Sequence, residues 1–296
     1  MQFLAYIFIY PFLWLISILP FRLFYMFSDL VYILVYHIAG YRKKVVNENL
    51  KLVFPNKSFK ELTAIKKKFY KHMCDMFFEM IKSISITKNQ LNKRFIIKNP
   101  EELKRLEGLN KSIILMYGHY ASYEWSYVIE NHLTYKGYGI YKRIKNRYFD
   151  KLAKRIRSKY NTVLIHTKEA IHIITKNEAE GIKSIIGFLS DQSPKYEKAY
   201  YWSNFMSINV PCFTGAEMLA KKLDLSVAYL KVKKHKRGYY EAEFISLADN
   251  SIALKDYEIT DKFTQALEAQ IHEAPEYYLW THRRWKHRNK VPKEFQ

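Results

Sequence analysis

The first forty residues carry the longest apolar runs in the chain. Phe3 to Leu19 contain no charged residue, and at about 1.5 Å per residue such a helix nearly spans a hydrocarbon core of roughly 30 Å. A secretory signal peptide would need a basic start and a small-residue cleavage site, and this run has neither. The pattern therefore predicts a retained membrane-anchor helix, kinked at Pro11 as membrane helices tolerate.

A second apolar stretch, Leu23 to Ala39, contains Asp29 and His37. An acidic group at mid-membrane costs about 2.5–3.5 kcal/mol on insertion scales, so we expect an interfacial helix lying against the main domain. A core helix of a soluble protein fits this stretch equally well. The basic residues Arg42, Lys43 and Lys44 follow, and the positive-inside rule then places the main domain in the cytoplasm. The sequence thus divides into an anchor and interfacial segment, 1–40, and a larger domain, 41–296.

The region from Tyr41 to Lys88 has a helical pattern, and Ser58 with Glu61 is spaced as a capping box. Its apolar stripe recurs at three- and four-residue spacing, which indicates a core or membrane-facing surface: Phe69, Met73, Met76, Phe77 and Met80.

After Pro100, short apolar runs alternate with basic helical stretches. The runs are continuous rather than alternating, as in strands covered on both faces. The predicted strands are Ser112–Tyr117, Gly139–Tyr141, Thr162–His166, Ile185–Leu189, Ser226–Val232 and Tyr239–Phe244. The predicted helices are Ala121–Leu133, Tyr148–Lys159, Lys168–Asn177, Gly215–Leu223 and Asp261–Glu273. The fold class is therefore α/β, a layered sandwich with a central mixed sheet of about seven strands flanked by helices, plus the N-terminal anchor helix.

Composition narrows the class of partner. The formal net charge of +21 attracts polyanions and anionic membrane surfaces. Cys74 and Cys212 are far apart and form neither a disulfide framework nor a zinc pattern, which suits a reducing compartment. His166, His172 and His272 have no metal-ligand spacing, so no metal or cofactor is expected.

The clearest chemical feature is the end of the predicted strand Ser112–Tyr117. Gly118 and His119 follow it at the turn, and Glu124 lies five residues later, near the start of a helix. Side chains beyond the carboxyl ends of strands face the crevice where α/β proteins bind ligands. An imidazole is a suitable base for acyl transfer to a hydroxyl, and a carboxylate on its other nitrogen would fix the tautomer. We expect His119 as the base and Glu124 as its partner; a structural histidine is the alternative.

Several blocks of the chain, in order, resemble the lipid A biosynthesis acyltransferase family, the late lauroyl/myristoyl-type enzymes of the lysophospholipid acyltransferase superfamily. Gly118 to Trp125 (GHYASYEW) is similar to the family's Gly-His-Phe-Gly-Asn-Trp-Glu block. The further matching blocks are RKKVVNENLKLVFP from Arg42, YKRIKNRYFDKLAKRIR from Tyr141, DQSP from Asp191, PCFTGAEMLAKK from Pro211 and PEYYLWTHRRWK from Pro275. Asn161 stands where the family usually has glycine, and since Asn tolerates left-handed backbone, we expect the turn to survive.

The resemblance implies an enzyme at the cytoplasmic face of the inner membrane. It would transfer an acyl chain from acyl carrier protein to a hydroxyl of a lipid A precursor, with residues 41–296 as the catalytic domain. His119 and Glu124 would be catalytic, and Arg157 and Asp191 would support the site or bind the phosphorylated sugar head. Both partners are acidic, in keeping with the basic chain.

Other functions stay open at this point. Another membrane glycolipid or aminolipid would serve equally as the acceptor, and a membrane-bound lipid hydrolase is a more distant alternative, since no Gly-x-Ser-x-Gly is present. A nucleic-acid-binding protein would explain the charge but not the uncharged anchor, so nucleic acid is not expected as a partner.

Overall fold

The computed structural model describes residues 2–295, and helices make up its larger part. The α-helices are α1 (Gln2–Ile18), α2 (Phe21–Tyr32), α3 (Lys43–Val53), α4 (Phe59–Lys82), α5 (Lys88–Asn92), α6 (Pro100–Gly108), α7 (Arg147–Arg157), α8 (Ala170–Ala179), α9 (Gly215–Leu223) and α10 (Glu258–Glu273). A π-helical turn, Ile33–Ala39, extends α2, and a 3₁₀ helix covers Tyr123–His132. Short 3₁₀ turns lie at Tyr196–Lys198, Pro275–Tyr277, Arg288–Lys290 and Lys293–Phe295.

Seven strands form the central sheet and two more form a separate hairpin. The strands are β1 (Phe95–Ile97), β2 (Ile113–Tyr117), β3 (Lys136–Tyr141), β4 (Val163–His166), β5 (Ser184–Leu189), β6 (Trp202–Phe205), β7 (Ile208–Pro211), β8 (Ser226–Lys236) and β9 (Tyr239–Ala248). The order in the sheet is β1-β9-β8-β2-β5-β3-β4. Strands β8, β2, β5, β3 and β4 are parallel to one another, whereas β9 is antiparallel to β8. The predicted α/β class with a mixed sheet of about seven strands is confirmed.

The buried strands are those whose sequence is continuously apolar. In β2, residues Ile113 to Met116 are all buried, because helices cover both faces of a parallel sheet. Helix α9 has the predicted bounds Gly215–Leu223. Ser58 and Glu61 form the predicted capping box at the start of α4.

The apolar stripe of α4 lies partly in the core. Phe69, Met73 and Met76 are buried, but Phe77 is half exposed and its neighbour Phe78 is buried instead. The helix buries a wide face, since it packs against α1, α2, α3 and the 3₁₀ turn Pro275–Tyr277.

The N-terminal helices pack along the rest of the protein. Helix α1 contacts α4 and α7, and α2 contacts α4 over much of its length. Within residues 2–295, the continuous helix Phe21–Ala39 is long and apolar enough to cross a membrane by length and composition, and Gln2–Ile18 is a shorter apolar helix. An N-terminal apolar helix is therefore present, and the division at residue 40 stays a prediction.

Candidate active site

Two neighbouring strands bring together a histidine and an aspartate that lie 72 residues apart. Tyr117, the last residue of β2, is paired with Leu189, the last residue of β5. His119 and Asp191 each follow two residues later, so the parallel register alone places them side by side at the carboxyl edge of the sheet. That edge is where ligands bind in open α/β sheets.

The Asp191 carboxylate binds His119 at two points. Its Oδ1 lies 2.6 Å from His119 Nδ1, and its Oδ2 accepts a hydrogen bond of 3.0 Å from the His119 backbone N–H. The side chain of Asp191 is only 2% exposed, whereas that of His119 is 15% exposed. Both the ring orientation and the backbone of the turn are therefore fixed by one buried carboxylate, which leaves Nε2 directed away from it.

The charges of this pair support each other. Burial by itself lowers the pKa of His119, but the negative charge and hydrogen bond of Asp191 outweigh it, so the pKa of His119 is raised above 6.5. Burial by itself raises the pKa of Asp191, but His119 and the backbone N–H hold the pKa of that carboxyl below its usual value. The imidazole is thus a stronger base than a free histidine, and its partner stays ionised.

Residues that the sequence did not single out complete the surroundings of the ring. The side-chain nitrogen of Gln192 lies 3.2 Å from His119 Nε2, and the Tyr123 ring meets the imidazole edge to face at 5.0 Å. Gln192 directly follows Asp191 in the DQSP block, and this position is the feature of the sequence that could have indicated Gln192 as a site residue.

The C-terminal segment contacts the loop that carries His119. The Leu279 N–H donates to the His119 carbonyl, and Tyr278 forms a β-bridge with Tyr120. His282 accepts from the Ser193 N–H, and burial lowers its pKa to about 4, so it stays neutral. Arg284, in the block PEYYLWTHRRWK, is 3% exposed and donates to the Pro211 carbonyl, so its guanidinium lies in the protein interior.

Glu124 does not occupy the predicted place on His119; Asp191 does. Glu124 instead accepts two hydrogen bonds from Arg157, from Nε at 3.0 Å and from Nη2 at 2.6 Å. The physical reason is local: Ala121 has a left-handed φ of 50°, and Glu124 lies in the first turn of the 3₁₀ helix Tyr123–His132, with its carboxylate toward the end of α7. Glu124 and His119 still line the same cavity, and the charge of Glu124 adds to the rise in the pKa of His119.

The turn after α7 keeps the expected shape. Asn161 has φ 79°, in the left-handed region that asparagine tolerates. This turn leads into β4, and its neighbours Thr162 and Leu164 line the cavity.

A cavity of about 600 Å³ runs from His119 along the sheet toward the amino end of β3. Many of its walls are apolar: Leu115, Ile129, Leu133, Ile140, Leu164, Ile185, Phe188, Leu189 and Phe213. Its polar groups include His119, Glu124 and Arg157 near the strand ends and Glu130 and Thr162 farther along. The volume is in the range of sites that bury one small-molecule-sized ligand.

Glycines create this cavity. Leu115, Gly187, Gly139 and Leu164 lie side by side across four strands in register, so their side-chain positions share one face. A Cβ at Gly139 would meet a Leu164 methyl at 3.0 Å, and one at Gly187 would meet the Tyr117 hydroxyl at 3.0 Å. Together with Gly137, three of the nine glycines of the chain line the cavity, so no side chain projects into it from these three positions.

Comparison with known proteins gives one finding. The family model described as bacterial lipid A biosynthesis acyltransferase matches residues 1–287. A search of curated proteins found no match.

Proposed function

Because the chain belongs to the bacterial lipid A biosynthesis acyltransferase family, and is therefore an acyltransferase, we propose that it moves a fatty acyl chain from acyl carrier protein to a hydroxyl of a lipid A precursor. His119 is the general base of this reaction. The observation that carries the proposal is the His119–Asp191 pair at one end of a largely apolar cavity.

The proposed step uses the free nitrogen of the imidazole. His119 Nε2 takes the proton of the acceptor hydroxyl as its oxygen attacks the thioester carbonyl carbon. The tetrahedral intermediate then collapses, the carbon–sulfur bond breaks, and the leaving thiolate receives the proton from the imidazolium. In the free protein the Gln192 amide lies where the acceptor hydroxyl must approach Nε2, so the amide has to move aside or bind the acceptor.

Asp191 takes the role that was expected of Glu124. Its carboxylate holds Nδ1 protonated, directs Nε2 to the substrate and stabilises the imidazolium that forms. We assign the Glu124–Arg157 ion pair to substrate binding and charge stabilisation beside the reacting carbonyl. Arg157 keeps a side-chain exposure of 29% while Glu124 fixes its position.

The cavity is proposed to hold the acyl chain. From Tyr141 at the carboxyl end of β3 to Gly137 near its start, the strand rises about 13 Å at roughly 3.3 Å per residue. Apolar side chains of the sheet and of the 3₁₀ helix line this path. A chain bound there would place its thioester at the strand ends, next to His119.

The surroundings of the site fit acidic partners. The exposed residues Lys142, Arg143 and Lys145 lie between β3 and α7, the exposed Arg147 begins α7, and Lys142 lines the cavity. A basic rim of this kind would attract acyl carrier protein, the phosphates of lipid A and an anionic membrane surface. We place the protein at the cytoplasmic face of the inner membrane on this ground.

The test is a reconstituted reaction. Purified protein in phospholipid vesicles is mixed with a lipid A precursor and with either acyl–acyl carrier protein or acyl–coenzyme A, and the products are identified by mass spectrometry. We expect one added acyl ester on the precursor and a preference for the carrier-protein donor. Free fatty acid as the sole product would contradict transfer, and acylation of an added aminolipid instead of the precursor would reassign the acceptor.

A further inference from the structure

Both ends of α1 are attached to the same folded body. At the start, Gln2 accepts hydrogen bonds from the Asn146 side-chain amide and the Arg147 backbone N–H, and the Phe3 ring contacts Tyr148 at 5.2 Å between centroids. At the other end, Lys82 donates to the Ser17 carbonyl at 2.6 Å. The 17 residues of α1 extend over about 25 Å at 1.5 Å per residue. The helix therefore lies along the protein rather than leading away from it.

The helix Phe21–Ala39 turns its polar side inward. Ser28 donates to Asp75, and Asp29 pairs with Arg237 at 2.8 Å. Arg237 in turn binds Asp75 on α4 at 2.6 Å, so one guanidinium joins the helix to the β8–β9 hairpin and to α4. Tyr25 donates to the buried carboxylate of Glu79 at 2.9 Å.

The outer side of both helices is apolar. More than half of the exposed large hydrophobic side chains of the described residues fall within the first 41. In the second helix they recur at helical spacing, Leu23, Met26, Phe27, Leu30, Leu34 and Ile38. A helix with polar groups inside and apolar groups outside is the inverse of a soluble surface helix, and bilayer hydrocarbon is the environment that fits it.

Crossing the bilayer conflicts with the inner contacts. If Phe21–Ala39 crossed, Asp29 at its middle would take Arg237 and Asp75 to the same depth, and each charge at the bilayer centre costs at least about 2.5–3.5 kcal/mol on insertion scales. If α1 crossed, the segments that bind its two ends would have to emerge on opposite sides. Neither cost arises when the helices lie in the plane of the interface.

We therefore propose that the protein is monotopic: α1 and Phe21–Ala39 lie in one leaflet with their outer faces in the acyl layer, and neither crosses. The apolar length of these segments alone predicts a crossing; the contacts on their inner faces argue against it. Exposed cations border this layer, Arg22 in the first turn of the second helix and Arg147 beside the start of α1, where they meet anionic headgroups.

One consequence rests on the proposed function. Gln2 contacts the segment 145–147, and this segment continues from Lys142, which lines the cavity. The cavity rim thus adjoins the membrane-facing layer, so a lipid acceptor would reach His119 sideways from the same leaflet.

Sidedness of labelling tests the proposal. Three variants are made, Leu4→Cys and Pro20→Cys at exposed positions of the N-terminal layer and Glu294→Cys as a marker of the body. A membrane-impermeant maleimide is applied to spheroplasts and to inverted inner-membrane vesicles. We expect no reaction of Leu4→Cys or Pro20→Cys from the side opposite to that on which Glu294→Cys reacts.

Reaction of either position from the opposite side would overturn the proposal, because a crossing α1 or a crossing hairpin must present one of them there. The native thiols Cys74 and Cys212 are buried, and the unsubstituted protein measures their background. Since the readout is sidedness, it does not depend on acyl transfer, and a failure of the proposed function would leave it interpretable.

Discussion

Two clusters of charged side chains lie within this protein, and they differ in what their atoms face. At the strand ends, His119 and the Glu124–Arg157 pair border a cavity of about 600 Å³, and the Gln192 amide lies 3.2 Å from the imidazole Nε2. Between α4, α2 and β9, Glu79 is 1% exposed, and hydroxyl groups of the protein bind both of its oxygens.

The contrast shows how the same residue types serve different ends. A carboxylate whose acceptors are all used by the protein holds elements together, as Glu79 does for Tyr25, Ser122 and Tyr240. A carboxylate that orients a ring with one nitrogen open to a cavity prepares that ring for chemistry, as Asp191 does for His119. Substitutions in the open cluster should therefore affect turnover, and those in the sealed cluster should affect stability.

The largest effect on turnover is expected from His119→Ala. Loss of the base should lower kcat/KM about 10⁴-fold, at the upper end for acid–base catalysis, in a protein that is still folded at the assay temperature. The matched control is His172→Ala on the exposed side of α8, which should retain activity. If the turnover of His119→Ala is close to that of the control, the cluster at the strand ends does not take part in catalysis.

Asp191→Asn should give the next largest loss, about 10²–10³-fold. The pH profile of kcat/KM shows whether Asp191 acts on His119 through its charge or only through packing. His119 must be neutral to accept a proton, and its raised pKa places the acidic limb of kcat/KM above pH 6.5 in the unsubstituted protein. Without the aspartate charge the limb should move to lower pH. Asp256→Asn, at an exposed carboxylate, is the control, and an unmoved limb would contradict the role of Asp191.

Gly139→Leu should reduce use of long acyl chains while sparing short ones. A Cβ at this position already meets Leu164 at 3.0 Å, so a larger side chain fills the cavity at mid-length. Each excluded methylene is worth roughly 10-fold or more in kcat/KM, measured with donors of graded chain length. Gly108→Leu has open space around its Cβ and should change nothing. Equal losses of kcat/KM for donors of all chain lengths would mean that the acyl chain does not bind in this cavity.

Glu79→Gln is expected to change turnover least and the pH dependence of stability most. The pKa of Glu79 is raised from 4.5 to about 7. Burial is the largest cause and Asp75 adds to it, while Lys234, Tyr240 and Tyr25 oppose the rise. The native state thus binds this proton more tightly than the unfolded state, and the free energy of unfolding falls as pH rises from about 4.5 to about 7. Glutamine removes that slope.

The measurement is denaturant unfolding at several pH values, with the exposed Glu180→Gln as control. Loss of turnover in Glu79→Gln without a change in the pH dependence of unfolding would mean that the sealed cluster takes part in the chemistry, and the contrast between the clusters would fail.

The elements that depend on neighbouring residues alone could be predicted from the sequence. The run Ile113–Tyr117, the helix Gly215–Leu223 and the Ser58–Glu61 capping box follow from apolar periodicity and capping chemistry, and each is present. Strand β1 escaped notice because its three residues owe their conformation to pairing with β9, far along the chain. His119 stood out as a candidate because it follows a buried strand directly.

The carboxylate partner of His119 could not be predicted from a single segment, because it depends on which strands are neighbours in the sheet. Asp191 reaches Nδ1 because β5 is the neighbour of β2 and both residues follow their strands at the same offset. Glu124 was favoured by nearness in sequence, yet a left-handed residue and a 3₁₀ turn direct it to Arg157. Nearness in sequence therefore predicted the wrong partner for His119, because the left-handed residue Ala121 changes the direction of the backbone between His119 and Glu124.

The bond between Asp29 and Arg237 joins residues 208 positions apart, and this has a consequence for biosynthesis. At about 5–20 residues per second, Asp29 leaves the ribosome roughly 10–40 s before its partner. During that interval the apolar faces of both helices are free to reach a membrane. If the helices bind one leaflet as proposed, they can do so before Arg237 is made, and the later strands would then assemble against helices already on the membrane.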